Sequence, residues 1–247
     1  MPKYKVIYND DEQDEIFLNE KDAERIISGN DPNNSNHFDY LWKLITHHGD
    51  VPGAGEMKAD DFAVLELSSF QLMTMRKSAD KAIVTNLSPN HLDVHKDYRE
   101  YVEAKENIFL HQSSDGLLIL NADNADDVAL APKAKGEVLW FSRRKTVENG
   151  AYLKDDVICF AENGASREVL AVSDIRIPGT HNVENYMAAI AMVQGLVSDE
   201  TIRAVAKSFN GVAHRIELVR TLRGVRYYND SIASSPSRTI AGLRAFP

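Results

Sequence analysis

Glu66 and His91 each stand next to a short apolar stretch, at positions from which a side chain can hold a ligand or a metal ion. Glu66 lies near the end of the run 62–67, and His91 lies in the polar loop after the β-branched run 81–84. Both runs are typical of buried strands, and open α/β sheets bind ligands beyond the carboxyl ends of their strands. A carboxylate at a buried strand tip needs a cation or hydrogen bonds. Glu66 is therefore a candidate ligand or, alternatively, a cap for the next turn.

Lys105 is a third candidate, because it falls inside an apolar stripe on the helix predicted within 96–112. A lysine there must extend its head group to water, pair with an anion, lose its charge or be chemically modified. Extension to water is the ordinary explanation, and spacing alone does not decide between these. The stripe consists of Tyr98, Tyr101, Val102, Ile108 and Phe109.

Asn182 and Asn185 open a long Ala-rich helix predicted from Thr180 to about Leu196. Because they are three residues apart, their amides share one side of the first turn. Paired amides suit the edge of a purine ring, although Thr180 or Asn182 is also a plausible helix cap. Arg215, in a loop further on, fits either a phosphate or a surface ion pair.

The elements that must position these residues alternate between short apolar strands and helices. This alternation predicts an α/β fold with a doubly wound, mostly parallel sheet. Further along, strands joined by turns at 155–156 and 163–164 predict a small antiparallel flap, and a hairpin is expected about Gly224. The strands predicted for the sheet lie at 62–67, 81–84, 116–120 and 138–141, those of the flap at 151–153, 157–160 and 168–172, and those of the hairpin at 216–219 and 225–228.

Residues 1–57 differ from the rest and point to no function. The stretches 4–8 and 14–18 predict two paired strands, and 20–28 and 38–48 predict short helices.

The composition is that of an ordinary globular protein with an acidic surface. Hydrophobic residues make up 43% and charged residues 26%, and the formal net charge of −9 disfavours broad binding to nucleic acid or acidic membranes. The single cysteine, Cys159, excludes an internal disulfide. The sequence has no apolar run of transmembrane length and no signal-peptide core. We therefore expect a cytoplasmic protein; a monomeric state is a separate expectation that the composition does not test.

Taken together, these motifs resemble the central domain of the Mur ligases. They are Leu-Glu-Leu-Ser-Ser-Phe-Gln-Leu (65–72), Thr-Asn-Leu-Ser-Pro-Asn-His-Leu-Asp (85–93), Tyr-Val-Glu-Ala-Lys (101–105), His-Asn-Val-Glu-Asn (181–185), His-Arg (214–215) and Asn-Asp-Ser (229–231). The resemblance covers roughly residues 58–247. Within the family, the Ser-Ser-Phe-Gln-Leu motif resembles the branch that adds D-glutamate.

The resemblance implies an ATP-dependent amide ligase of peptidoglycan precursor synthesis. In such enzymes ATP phosphorylates a substrate carboxylate, here that of UDP-N-acetylmuramoyl-L-alanine, and the amine of D-glutamate attacks the acyl phosphate. Phosphoryl transfer of this kind needs Mg²⁺. By the same resemblance, Glu66 and His91 hold the Mg²⁺ together with Lys105, which is typically carbamylated in this family and thereby becomes an oxygen ligand.

The resemblance also implies contacts with the nucleotide and the sugar substrate. Asn182 and Asn185 would contact adenine, Arg215 the phosphates of ATP, and Asp230 the nucleotide. His181 would orient the loop rather than touch the ligand. Ser68 and Ser69 would contact the UDP-sugar.

Two departures from the family pattern affect these expectations. No Gly-x-x-x-x-Gly-Lys-Ser/Thr phosphate loop precedes Glu66, so binding of the γ-phosphate should be badly weakened. Ile232 stands where family members often carry a lysine, which leaves the incoming glutamate carboxylate without that cation.

These departures also shape the predicted domain organisation. We expect an unassigned segment 1–57, a central domain at 58–213 that lacks its phosphate loop, and the beginning of a C-terminal ligase domain at 214–247. Such a chain would be a truncated ligase or one joined to a foreign N-terminus, with little or no activity alone. Alternatives are a non-catalytic nucleotide- or partner-binding module on the same fold and a folylpolyglutamate-type ligase.

Overall fold

The computed structural model describes residues 4–7, 15–18, 64–89, 94–233 and 236–246. These residues divide into two compact units, one within 1–80 and 89–113 and the other within 81–88 and 114–247. His91 and the helices predicted at 20–28 and 38–48 lie outside the described residues. None of the helices in the described ranges is long and apolar enough to cross a membrane.

The first unit contains two strands that pair as predicted. Strand β1 (Tyr4–Ile7) runs antiparallel to β2 (Glu15–Leu18), with Tyr4 opposite Leu18. β-Branched and aromatic residues at these positions favour the extended backbone.

The strand predicted at 62–67 is wrong for its described part. Residues 64–67 have no regular secondary structure and pair with none of the described strands, and the Val64 side chain is 95% exposed. An apolar β-branched run forms a strand only where neighbouring strands satisfy its backbone. The run instead leads into a short helix, α1 (Ser69–Leu72), which begins with a capping box between Ser68 and Gln71.

The helix predicted within 96–112 forms in part. Helix α2 (Tyr98–Glu106) starts at the N-cap Asp97, whose carboxylate accepts from the backbone of Glu100. The apolar stripe continues past the end of the helix, because Phe109 is completely buried although the chain there forms turns. The Asn107 side chain donates to the carbonyl of Leu72 at 2.8 Å and ties this turn to α1.

The second unit is built on a six-stranded sheet in the order β3-β4-β5-β6-β7-β8. Its first four strands are parallel neighbours, so the predicted mostly parallel α/β fold is confirmed. The strands are β3 (Lys81–Val84), β4 (Leu117–Asn121), β5 (Glu137–Ser142), β6 (Gly150–Lys154), β7 (Val157–Glu162) and β8 (Ala165–Ala171). The first crossover within this unit contains helix α3 (Ala125–Leu130).

Strands β6 to β8 are antiparallel, as expected for the flap, and they extend the main sheet. The turns lie where the sequence predicts them. Asp155 and Asp156 have φ of 49° and 59°, and Asn163 and Gly164 have 53° and 78°. Positive φ at both central residues is the requirement of two-residue hairpin turns, and Asp, Asn and Gly meet it at low cost.

The hydrophobic core lies between this sheet and two helices, α4 (Thr180–Met192) and α5 (Asp199–Ser208). Apolar side chains of α4 recur at helical spacing, which places them against the sheet. The largest buried members of the core are Ile119, Leu139, Phe141, Ile158, Phe160, Leu170, Met187, Ile190 and Ile202.

The predicted hairpin about Gly224 also forms. Strand β9 (Glu217–Leu222) pairs antiparallel with β10 (Val225–Asn229), and helix α6 (Pro236–Leu243) follows. The hairpin buries little: Leu218, Val219 and Val225 are each more than half exposed.

Candidate functional site

The second unit contains a cavity of about 330 Å³ beside the first turns of α4. Asn182, Asn185 and Arg215, which the sequence singles out from separate stretches, all line it. A mostly apolar cavity with a few convergent polar groups is the usual form of a small-molecule site. Its other walls are Ile177, Pro178, Tyr186, Ala189, Val205, Phe209, Gly211, Val212 and Ile216.

Helix α4 begins without a side-chain cap, so the predicted capping by Thr180 or Asn182 is wrong. The N-cap is Gly179, whose φ of 106° is poorly accessible to other residues. A Cβ there would also lie 2.6 Å from the His181 ring. Asn182 lies inside the first turn instead, where its Nδ2 donates to the carbonyl of Pro178 at 2.6 Å.

The two asparagine amides share one side of α4, as the spacing predicts. Asn185 Nδ2 lies 3.5 Å from Asn182 Oδ1, at the limit of a hydrogen bond. Asn182 is buried whereas Asn185 is exposed. Asn185 therefore keeps most of its hydrogen-bonding capacity for a ligand, while Asn182 is partly used in holding the loop before the helix.

A group of charged residues surrounds His181. Burial and, next, the Arg215 guanidinium lower the pKa of His181, so its ring is neutral near pH 7. The carboxylates of Glu184 and Asp230 oppose this shift. Asp230 does not line the cavity, but its Oδ1 accepts from the backbone N–H of Ile216, a wall residue, at 3.1 Å. Asp230 thus supports the wall of the cavity.

Lys105 and Glu66 interact electrostatically in the first unit. Burial lowers the pKa of Lys105, and the Glu66 carboxylate partly opposes this shift. The Lys105 Nζ donates to the carbonyl of Leu67 at 3.2 Å. The third predicted member of this group, His91, lies outside the described residues.

The donors around Lys105 suit a hard divalent cation. Glu66 offers a carboxylate and Leu67 a carbonyl, and both are the oxygen ligands that Mg²⁺ prefers. A lysine of lowered pKa is more often neutral, and the neutral amine is the form that adds carbon dioxide. Among the residues that the structure describes, no three His, Cys, Asp or Glu side chains form a metal-binding cluster.

Ser68 and Ser69 have partners within the first unit. The Ser68 hydroxyl caps α1 by accepting from the backbone of Gln71. The Ser69 hydroxyl lies 2.9 Å from Nε2 of His95, and both residues are buried. The predicted contact of either serine with a sugar substrate stays a prediction.

Sequence reasoning missed an ion pair next to the cavity. Nε of Arg143, which follows β5, donates to Glu184 at 2.8 Å, and both side chains are about one-third exposed. The signal was present as a basic triplet, Arg143 to Lys145, directly after a predicted strand. Sequence reasoning also missed the apolar walls of the cavity, because Tyr186 and Phe209 belong to different predicted helices.

The sequence matches known proteins over much of its length. Residues 53–193 match the Mur ligase middle domain. UDP-N-acetylmuramoylalanine--D-glutamate ligases of Acetivibrio thermocellus and Clostridium novyi are 57% and 55% identical over 191 residues, which is 77% of this chain and 41% of each relative. The chain therefore spans about two fifths of the length of these relatives.

A solved structure supports the same fold. MurF from Acinetobacter baumannii superposes with a TM-score of 0.55 at 19% identity, over 72% of this chain and 39% of that one. At this identity the likeness concerns the fold alone. Since the family match covers more than half of the sequence, the chain belongs to the Mur ligase family.

Proposed function

We propose that this chain is built for ATP-dependent formation of an amide bond, in which D-glutamate is joined to UDP-N-acetylmuramoyl-L-alanine. The observation that carries this proposal is the cavity lined by Asn182, Asn185 and Arg215. It combines apolar walls for a flat base, two amides for its edge and a guanidinium for phosphate. The names of the relatives that are 57% and 55% identical support the choice of substrates.

In the proposed reaction the substrate carboxylate attacks the γ-phosphate of ATP, and an acyl phosphate and ADP form. The amine of D-glutamate then attacks the acyl carbon, and phosphate leaves as the amide forms. Asn182 and Asn185 hold adenine, and Arg215 contacts the phosphates. Asp230 supports the cavity wall by accepting a hydrogen bond from the backbone of Ile216. A neutral His181 orients the loop before α4.

Mg²⁺ would neutralise the charge shared by the phosphates and the attacking carboxylate. We assign Glu66, His91 and a carbamylated Lys105 as its ligands. The proximity of Glu66 to Lys105 and the lowered pKa of the lysine support this assignment. Ser68 and Ser69 are proposed to contact the UDP-sugar, and cytoplasmic location and a monomeric state remain proposals of the same kind.

The missing phosphate loop affects both nucleotide binding and catalysis. A phosphate loop supplies backbone amides and a lysine for the β- and γ-phosphates, and none occurs in this sequence. We therefore propose that the chain alone binds nucleotide weakly and turns over little or no substrate.

A phosphate-release assay with ATP, UDP-N-acetylmuramoyl-L-alanine and D-glutamate tests this, with the Acetivibrio thermocellus ligase as the positive control. We expect a rate at least about a thousandfold below the control, the usual scale of losing electrostatic stabilisation at the reacting centre. A rate near that of the control would refute the proposed inactivity. Absence of ADP binding in ligand-observed NMR would refute the nucleotide site itself.

The missing phosphate loop also favours a second candidate, a non-catalytic nucleotide-binding module. Both candidates predict ADP binding without turnover, so a partner pull-down with and without residues 1–57 distinguishes them. The folylpolyglutamate-type alternative is not favoured, because the relatives above 50% identity named here are D-glutamate ligases.

A further inference from the structure

Three polar side chains at the end of β4 have no role in the reaction proposed above. Asn121 is the last residue of the strand, and Asp123 and Asn124 follow it before helix α3. Asn121 is buried, and the other two are partly buried. Their hydrogen bonds run in two directions, towards the loop after β3 and towards helix α4.

The first set of hydrogen bonds holds the loop 85–88, which directly follows β3. Asn121 Nδ2 donates to the carbonyl of Thr85 at 3.1 Å. Asn124 Nδ2 donates to Oδ1 of Asn86 at 2.6 Å and to the carbonyl of Leu87 at 2.8 Å. Leu87 is itself only 3% exposed. Three hydrogen bonds and one buried side chain therefore fix a segment that has no secondary structure of its own.

The same two amides use their oxygens locally. Asn121 Oδ1 accepts from the backbone of Asp123 at 2.9 Å. Asn124 is the N-cap of α3, and its Oδ1 accepts from the backbone of Asp126 and Asp127. Serine also caps helices well, but its side chain is too short to donate to both loop groups. Capping of α3 and restraint of the loop can therefore be separated by substitution.

The second set of contacts leads to helix α4. The Asp123 carboxylate accepts from the Ser142 hydroxyl at 2.7 Å and from the backbone of Arg143 at 2.8 Å. Arg143 in turn donates to Glu184. Glu184 lies one residue before Asn185, in the turn of α4 that lines the cavity. The contacts thus join the loop after one strand to the helix beside the cavity.

We propose that Asn121, Asp123 and Asn124 are positioning residues, which hold the loop 85–88 in one conformation relative to β4 and to helix α4. This inference rests on the proposed function, because the chain leads from this loop to His91, a proposed Mg²⁺ ligand. If the loop is already ordered at the strand end, ligand binding does not have to supply the free energy needed to order it.

The Asn124→Ser variant of the full chain tests this. It keeps a cap on α3 and removes both donors to the loop. Backbone ¹⁵N relaxation of residues 85–88 should show order parameters falling from about 0.85 in the parent to below about 0.6. The affinity for Mn²⁺ with bicarbonate present, measured by electron paramagnetic resonance, should fall, because binding must then also order the loop.

Ser198→Ala is the matched control. It removes the N-cap hydroxyl of α5, which accepts from the backbone of Thr201. The expected loss in the free energy of unfolding is comparable, but the site is far from the loop in sequence. Its loop order parameters and Mn²⁺ affinity should equal those of the parent. A merely structural role for Asn124 would make the two variants behave alike.

The outcomes separate this inference from the proposed function. Unchanged loop order parameters in Asn124→Ser would overturn the inference, whatever the metal data show. Failure of the parent to bind Mn²⁺ would remove the proposed metal site, while the order parameters would still decide the role of Asn124. If Asn124→Ser does not fold, Asn86→Ala removes the acceptor at 2.6 Å from the exposed loop side and should loosen the loop in the same way.

Discussion

The cavity beside α4 and the surroundings of Lys105 are two candidate sites of different construction. The cavity is lined by a helix whose inner face belongs to the core, where Met187 and Ala191 are fully buried. Lys105 instead meets Leu67 in a stretch with no regular structure. A cavity can therefore be formed by the packing of helices on a sheet, whereas a side-chain cluster formed by connecting segments depends on how each segment is restrained.

The largest effect is expected at Lys105. Lys105→Met should remove Mn²⁺ binding in bicarbonate, by at least about a hundredfold, because a carbamate ligand can no longer form. ADP binding should persist if the two sites are independently built. Electron paramagnetic resonance and ligand-observed NMR measure the two, with the exposed Lys154→Met as control. Full Mn²⁺ affinity in Lys105→Met would eliminate the lysine as a ligand.

Arg215→Ala should reduce ADP affinity about 10- to 100-fold, since a charge-assisted hydrogen bond to phosphate is worth about 1.5–3 kcal/mol. Adenosine, which has no phosphate, should bind both forms alike. Titrations of ADP and adenosine followed by NMR provide the measurement, and the exposed Arg220→Ala is the control. An equal loss for both ligands would mean that Arg215 shapes the cavity instead of contacting phosphate.

Asp127→Asn addresses the stability of the unit that contains the cavity. Burial raises the pKa of Asp127 to about 7, an effect partly opposed by the backbone N–H groups of Asn121 and Leu87. A raised pKa means that the folded state favours the protonated acid. This contribution to stability is complete below about pH 4 and is lost as the pH rises through about 7.

The parent should therefore lose on the order of 1–3 kcal/mol relative to Asp127→Asn between pH 4 and pH 8. Urea unfolding of both proteins across this range measures the difference. A constant difference would show that Asp127 ionises in the folded chain as it does in the unfolded one.

Asn185→Ala should weaken ADP and adenosine equally, by about five- to tenfold, as expected for loss of one neutral hydrogen bond to the base. Because Asn185 is exposed, the free energy of unfolding should change by less than about 0.5 kcal/mol. NMR titration and urea unfolding test both statements. Loss of ADP binding without loss of adenosine binding would contradict a contact with the base.

The smallest effect is expected for the exposed ion pair between Arg99 and Glu103 on α2, at 2.7 Å. Arg99→Ala should leave the urea midpoint of unfolding almost unchanged, because water screens such pairs. Urea unfolding at low and high salt measures this. A clear fall of the urea midpoint at low salt that disappears at high salt would mean that α2 depends on surface charge.

Local patterns predicted the elements that short apolar runs and special turn residues mark in the chain. Strands β3 to β5 follow short apolar runs, and the turns at 155–156 and 163–164 follow the few residue types that accept a positive φ. The expected strand at 62–67 was wrong for its described part, because its apolar residues fit a strand only if neighbouring strands accept its backbone. The expected caps of α4 were wrong because Gly179 already provides the required backbone conformation.

The residue types of the site, the mostly parallel sheet and the resemblance to the family follow from the order of the chain. That Asn182, Asn185 and Arg215 share one cavity, that Lys105 interacts with Glu66, and that the end of β4 holds the loop after β3 are properties of the packed structure. The difference follows from the distance along the chain over which each kind of interaction acts. Backbone preferences act over a few residues and can be derived from the order of the chain, whereas burial and hydrogen bonds between distant segments exist only once the sheet and its helices have packed.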